Sequence, residues 1–119
     1  MGKDARPLTP ELMELVAERF RALGEPVRLR ILQALRTGEQ TVTELVESTG
    51  LGQANVSKHL QLLHALGFVD RRKDGLYVHY RLAGDDIFRM CDLMCGRIED
   101  EASRRQELLQ QRLSPSDTG

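Results

Sequence analysis

The chain lacks the cysteines for a disulfide framework, any apolar run long enough for a membrane-spanning helix, and an excess of charge of either sign. Two cysteines among 119 residues, with no secretory signal, fit a reducing compartment in which both stay thiols, so the cytoplasm is the expected location. No stretch reaches the roughly 18 consecutive apolar residues of a membrane span. A formal net charge of −1 excludes an indiscriminately basic nucleic-acid binder. Internal repeats are absent, and low complexity is confined to the ends. No Ser-His-acid or Cys-His arrangement, phosphate-cradling glycine loop or His-Glu-x-x-His helix occurs, so nothing points to an enzyme. The acids Asp85-Asp86 sit at a helix start, where capping explains them. The most telling absence is local. From Gln53 to Val69 there is no Asp or Glu at all.

That acid-free segment lies inside the most patterned part of the chain, residues 41–82. Thr41 and Glu44 have the spacing of a capping box, in which each side chain accepts from the other residue's backbone N–H. Val42, Leu45 and Val46 give the short helix that follows one apolar face, and Gly50 suits its left-handed end. A second helix is predicted from about Gln53 to Leu66, stopping at Gly67. Val56, Leu60 and Leu63 form its inward stripe, while Ala54, Ser57, Lys58 and Gln61 point the opposite way at roughly 100° per residue.

A solvated helix normally carries Glu/Lys pairs on such a face. Amide, hydroxyl and one cation suit base edges better: Gln53 and Asn55 can pair with adenine, Ser57 can donate or accept, and Lys58 reaches guanine or phosphate. Next comes a predicted hairpin, Phe68–Lys73 and Leu76–Leu82 around an Asp74-Gly75 turn. Arg71, Arg72 and Lys73 bring three cations to its tip, which fits phosphate or minor-groove contact. Residues 51–82 carry five Lys/Arg against two acids, +3, whereas residues 83–119 carry five against eight, −3. Positive potential is concentrated on the helix pair and hairpin. These are the parts of a winged helix-turn-helix.

The remaining segments complete that architecture. Residues 1–8 read as a loose tail, and Thr9-Pro10 opens a helix with Leu12, Val16, Phe20 and Leu23 along one stripe. Glu25-Pro26 starts the next, carrying Val27, Ile31, Leu32 and Leu35 and ending near Gly38. After the hairpin, Gly84-Asp85-Asp86 opens a last helix of about 40 Å reaching Leu113. Ile87, Cys91, Met94, Cys95, Ile98, Ala102 and Leu109 lie on one side of it. The fold expected is mostly α with a small β-hairpin, in the order α-α-α-α-β-β-α. The domain covers residues 9–113, with a dimerisation helix at about 84–113 and a second tail at 114–119. A homodimer through the first and last helices would hide both apolar stripes, and it would set two reading helices about 34 Å apart on a pseudo-palindromic operator.

The run Phe20-Arg21-Ala22-Leu23-Gly24-Glu25-Pro26-Val27-Arg28-Leu29-Arg30-Ile31-Leu32, then Thr43-Glu44-Leu45, then Val56-Ser57-Lys58-His59-Leu60 with Leu63 and Gly67, resembles the ArsR/SmtB family of bacterial repressors. The likeness extends from about Glu18 to Leu82. It implies a winged-helix homodimer that binds operator DNA and leaves it when an inducer binds. It also implies DNA contacts at Gln53, Asn55, Ser57, Lys58 and His59. On the helix His59 falls beside the buried stripe, so a half-buried structural histidine stands next to a phosphate contact as its role.

Inducer sites in that family use Cys, His and carboxylate side chains at several places. The Cys-x-Cys beside the first motif helix is missing, since Glu44–Ser48 holds no thiol. All three histidines, His59, His64 and His79, lie outside the last helix, so a histidine-based zinc site there is missing too. Cys91 and Cys95 remain, one helical turn apart on one face. Their Cβ atoms, about 5–6 Å apart, are too far for an unstrained disulfide, which wants about 3.8 Å. A bridging soft ion suits them better, and As(III), Cd(II), Hg(II), Cu(I) and Zn(II) all qualify by softness, with further ligands from a partner helix. No cofactor is required otherwise. Plain packing on the buried stripe and thiol oxidation or persulfidation are the other roles open to the pair. A winged helix used for protein interaction, with no inducer, is the alternative to an operator-binding repressor.

Overall fold

The structure, a computed structural model, describes residues 6–113. The loose ends expected at 1–8 and 114–119 lie outside the described residues, apart from residues 6–8, which are irregular and exposed. Contacts divide the chain into two units between Gly84 and Asp85.

In the first unit, helix α1 (Pro10–Leu23) starts where expected. Thr9 caps it by accepting from the Leu12 N–H, and Pro10 fills a first-turn position that needs no donor. Helix α2 (Pro26–Ala34) is capped by the Glu25 carboxylate, which accepts from Val27 N–H at 3.2 Å. It ends earlier than the sequence suggests. Residues Leu35–Thr37 tighten into a 3₁₀ turn before Gly38, whose φ of 136° no β-carbon residue adopts readily.

The first helix of the motif pair, α3 (Val42–Thr49), opens on the full capping box, with Thr41 N–H to Glu44 Oε1 at 2.8 Å and Glu44 N–H to Thr41 Oγ1 at 3.2 Å. Gly50 ends it at φ 75°, the left-handed closure. Helix α4 (Gln53–Ala65) buries Val56, Leu60 and Leu63 completely, each with 0% exposure. These meet Ile31, Leu32, Leu35 and Leu45 in the core of the unit. The expected inward stripes of α2, α3 and α4 are all present.

The sheet has three strands, where the sequence predicts a two-stranded hairpin. Strand β1 (Gln40–Thr41) pairs antiparallel with β3 (Tyr77–Leu82), which pairs in turn with β2 (Val69–Asp74). Two residues give no readable alternation, so β1 is invisible to periodicity. The turn is also displaced. Asp74 lies opposite Tyr77, so the loop is Gly75-Leu76 instead of Asp74-Gly75. Gly75 takes φ 64° at the first central position, as a type II′ turn requires, and Asp74 is spared a positive φ. This moves the pairing by two residues. Face assignments survive, because side chains alternate with period two, but Arg72 now sits opposite His79 instead of Tyr77.

The second unit is one helix, α5 (Asp86–Leu113), of 28 residues or about 42 Å. Ile87 and Phe88 are buried. The stripe expected beyond them is open in the single chain: Met94, Ile98 and Leu109 are all more than half exposed, as is Leu93. On α1, Phe20 of the expected stripe is likewise 59% exposed. Both helices keep apolar surface for which the isolated chain has no cover.

Candidate nucleic-acid interface

Helix α4 presents the face the sequence predicts. Gln53, Ala54, Asn55, Lys58 and Gln61 are exposed, and Ser57 is half-buried at the flank. Its N-cap is Gly52, with no side chain closing the first turn and no acid in it. The leading N–H groups and the positive end of the helix therefore stay available to an anion. Gln53 lines one concavity with Leu76 and Tyr77 of the hairpin and Thr41–Thr43 at the start of α3. The wing tip thus stands beside the leading end of α4, and Leu76 there is 98% exposed.

The three wing cations are not equivalent. On β2, Arg71 and Lys73 share the sheet face that carries buried Val69 and Tyr80, and together with Val78 and Tyr80 they line an open concavity. Neither has an acid partner among the described residues. Arg72 points to the opposite face. There it forks onto Glu39, with Nη2 to Oε1 at 2.8 Å and Nε to Oε2 at 3.0 Å, and it also lies 3.7 Å from Asp74. The Arg72 bond holds the Glu39 carboxyl below the usual carboxylate range and raises the arginine's own already high pKa. His79 Nδ1 approaches the same carboxylate at 3.9 Å. Arg81 faces Asp70 across the strands at 3.7 Å. On the outer sheet face each cation thus has an acid beside it, and of the three wing cations only Arg71 and Lys73 lack one among the described residues. Sequence reasoning passed over Glu39, because it lies 33 positions from Arg72 and is brought to it by the neighbouring strand β1.

His59 is half-buried, as its position beside the stripe suggested. Its Nδ1 lies 3.2 Å from Arg28 Nη1, and burial, then the Arg28 and Lys58 charges, push its pKa below the ordinary 6.5.

The thiol pair departs from expectation in one respect. Placed on the buried stripe by the sequence, Cys91 is half-buried and Cys95 exposed in the single chain, and both are free. Met94 and Ile98 of the same stripe are exposed as well. Among the described residues no group of three or more His, Cys, Asp or Glu side chains is placed to hold a metal ion. Among the described residues, Cys91 and Cys95 therefore have no third His, Cys, Asp or Glu side chain grouped with them.

Four helices and a three-stranded sheet in this order, with an acid-free helix standing beside a basic hairpin, define a winged helix-turn-helix. The family model described as "Bacterial regulatory protein, arsR family" matches residues 25–71. A "Probable mercury resistance operon repressor" of Streptomyces lividans is 42% identical over 81 residues, covering 68% of this chain and 62% of that protein. The first curated relatives are longer than the match, which spans 62%, 37% and 57% of their lengths. Among solved structures, the homodimeric winged helix-turn-helix DNA-binding domain of a "possible ArsR-family transcriptional regulator" from Mycobacterium bovis superposes with a TM-score of 0.70 at 30% identity, covering 85% of this chain and 94% of that one. The AntR antimony-specific transcriptional repressor does so with a TM-score of 0.69 at 31% identity, covering 84% and 91%. The chain belongs to the arsR family of bacterial regulatory proteins. Its relatives are transcriptional regulators, and no described helix is long and apolar enough to cross a membrane.

Proposed function

We propose that this protein is a homodimeric, operator-binding transcriptional repressor that a thiol-seeking metal or metalloid releases from DNA. The observation that carries the DNA reading is the pairing of an acid-free, uncapped α4 with two wing cations that have no acid partner. Gln53, Asn55, Ser57 and Gln61 are the base-reading candidates, and Lys58, Arg71 and Lys73 the phosphate contacts. Arg72, bound to Glu39, supports the wing.

Two copies meeting through α1 and α5 would cover Met13, Leu15 and Phe20 on one helix and Leu93, Met94 and Ile98 on the other, all about half exposed or more. The relative from Mycobacterium bovis is homodimeric, and two other relatives are named for mercury and antimony, both thiol-seeking elements. Cys91 and Cys95 fit such an ion if the partner chain contributes the remaining ligands. Ligation across the dimer seam would alter how the two α4 helices are spaced, and loss of register with two half-sites needs only a fraction of a groove width.

The test is gel-shift titration against DNA upstream of the chain's own gene under reducing conditions, with As(III), Sb(III), Hg(II), Cd(II), Zn(II) and Cu(I) added in turn. At least one ion should release the parent protein. Cys91→Ser and Cys95→Ser should bind DNA like the parent and fail to release. Release of the double variant by the same ion would move the sensor elsewhere, and failure of the parent to bind any duplex would end the repressor reading.

A further inference from the structure

Arg28 joins three helices. Near the end of α1, the Ala22 carbonyl would take its helical hydrogen bond from the residue four positions on, but that residue is Pro26, which has no N–H. Arg28 Nε, from the first turns of α2, supplies the missing donor. The same guanidinium reaches α4 through Nη1, 3.2 Å from His59 Nδ1. A guanidinium only donates, so Nδ1 accepts and the proton of the neutral ring stands on Nε2. Nε2 has no partner among the described residues. No buried side-chain nitrogen or oxygen there lacks a partner either, so the Nε2 edge opens to solvent. It does so on the flank of α4 shared with Asn55, one turn earlier, with exposed Lys58 next to it.

We propose that Arg28 is a positioning residue for DNA binding: it locks His59 as a neutral Nε2–H donor aimed at a backbone phosphate beside the bases that α4 reads. The inference rests on the operator reading above and adds to it a defined tautomer, a defined donor atom and a residue off the DNA face that controls both. A cation behind the ring polarises the imidazole and strengthens its outward N–H as a donor. Because the donor is neutral, it contributes a hydrogen bond to phosphate without displacing a counterion.

The test uses duplexes that the parent chain enriches from a random-sequence pool, together with ¹⁵N spectra of the histidine rings in the free protein. In the parent, His59 should show the Nε2–H tautomer. Arg28→Met should mix the tautomers and weaken binding about a hundredfold, the scale of one hydrogen bond to a charged group in each of the two half-sites. His59→Asn keeps an acceptor for Arg28 but has no distal donor, and it should lose about as much. Its salt slope should equal the parent's, whereas Lys58→Ala, which removes one cation from each protomer, should flatten the slope by about 1.8. His59→Gln restores a distal N–H and should bind within about threefold of the parent. Arg28→Lys, which preserves charge but not the two-way fork, should resemble Arg28→Met and serves where the methionine variant does not fold. An unchanged tautomer in the Arg28 variants, or parental affinity in His59→Asn, overturns the proposal. A parent that enriches no duplex overturns the operator reading itself, and the spectra then still report whether Arg28 fixes the ring.

Discussion

The division of the wing into one free and one neutralised face leads to a quantitative expectation. Two double variants each delete two charged side chains from the wing or its support. Arg71→Gln with Lys73→Gln removes the cations that have no acid partner, and Glu39→Gln with Arg72→Gln removes the bonded pair. Each phosphate that a cation neutralises contributes about 0.9 to the slope of log affinity against log salt, and a homodimer carries two wings, so losing Arg71 and Lys73 from both should flatten that slope by roughly 3.6. Between about 50 and 200 mM salt, a fourfold change, the deficit of this variant should shrink about 150-fold. The Glu39/Arg72 variant should keep the parent slope, because an arginine already bound to a carboxylate neutralises no phosphate and so releases no counterion from the DNA. Fluorescence anisotropy of a labelled operator duplex across that range measures both, with circular dichroism melts to check that each variant is folded. If removing the bonded pair flattens the slope as much as removing Arg71 and Lys73, Arg72 reaches DNA and the two-faced wing is wrong.

Further expectations concern folding. Thr41→Ala removes half of the capping box and should cost about 1 kcal/mol, read as a lower urea midpoint with unchanged m-value; no change would mean that α3 is held by packing alone. Leu60→Ala empties a fully buried site and should cost about 2–5 kcal/mol by the same measurement. The pH dependence has a definite sign. His59 titrates lower in the folded chain than its ordinary 6.5, because burial disfavours the charged ring and Arg28 and Lys58 repel it more than Glu25 attracts it. As pH falls below about 6.5, the unfolded chain takes up a proton that the folded chain refuses, so stability declines until the folded ring also protonates. Urea midpoints at pH 7.5 and 5.5 should therefore drop further for the parent than for His59→Asn. Equal drops would show that the ring makes no such contribution.

Helix positions, caps and the inward stripes of α2, α3 and α4 were legible because they are local. A capping box spans four residues, and a stripe needs only the 3.6-residue period. The acid-free face of α4 was legible for the same reason, since one helix suffices to place its side chains. The loop of the hairpin was misplaced by one residue, because Asp74-Gly75 and Gly75-Leu76 both satisfy turn chemistry and only the strand register separates them.

What the amino-acid sequence determined by itself, then, is the order of the helices and the hairpin, the acid-free face of α4 and the cluster of positive charge around it, all set by short-range spacing. Tertiary structure decided which charges are free. A two-residue strand places Glu39 against Arg72 across 33 positions, and a proline without an N–H turns Arg28 toward both Ala22 and His59. Neither pairing has a period or a motif to announce it. Each depends on where the chain returns in space, and that is settled by burying Ile31, Leu45, Leu60 and Val69 together rather than by any property of the charged residues themselves.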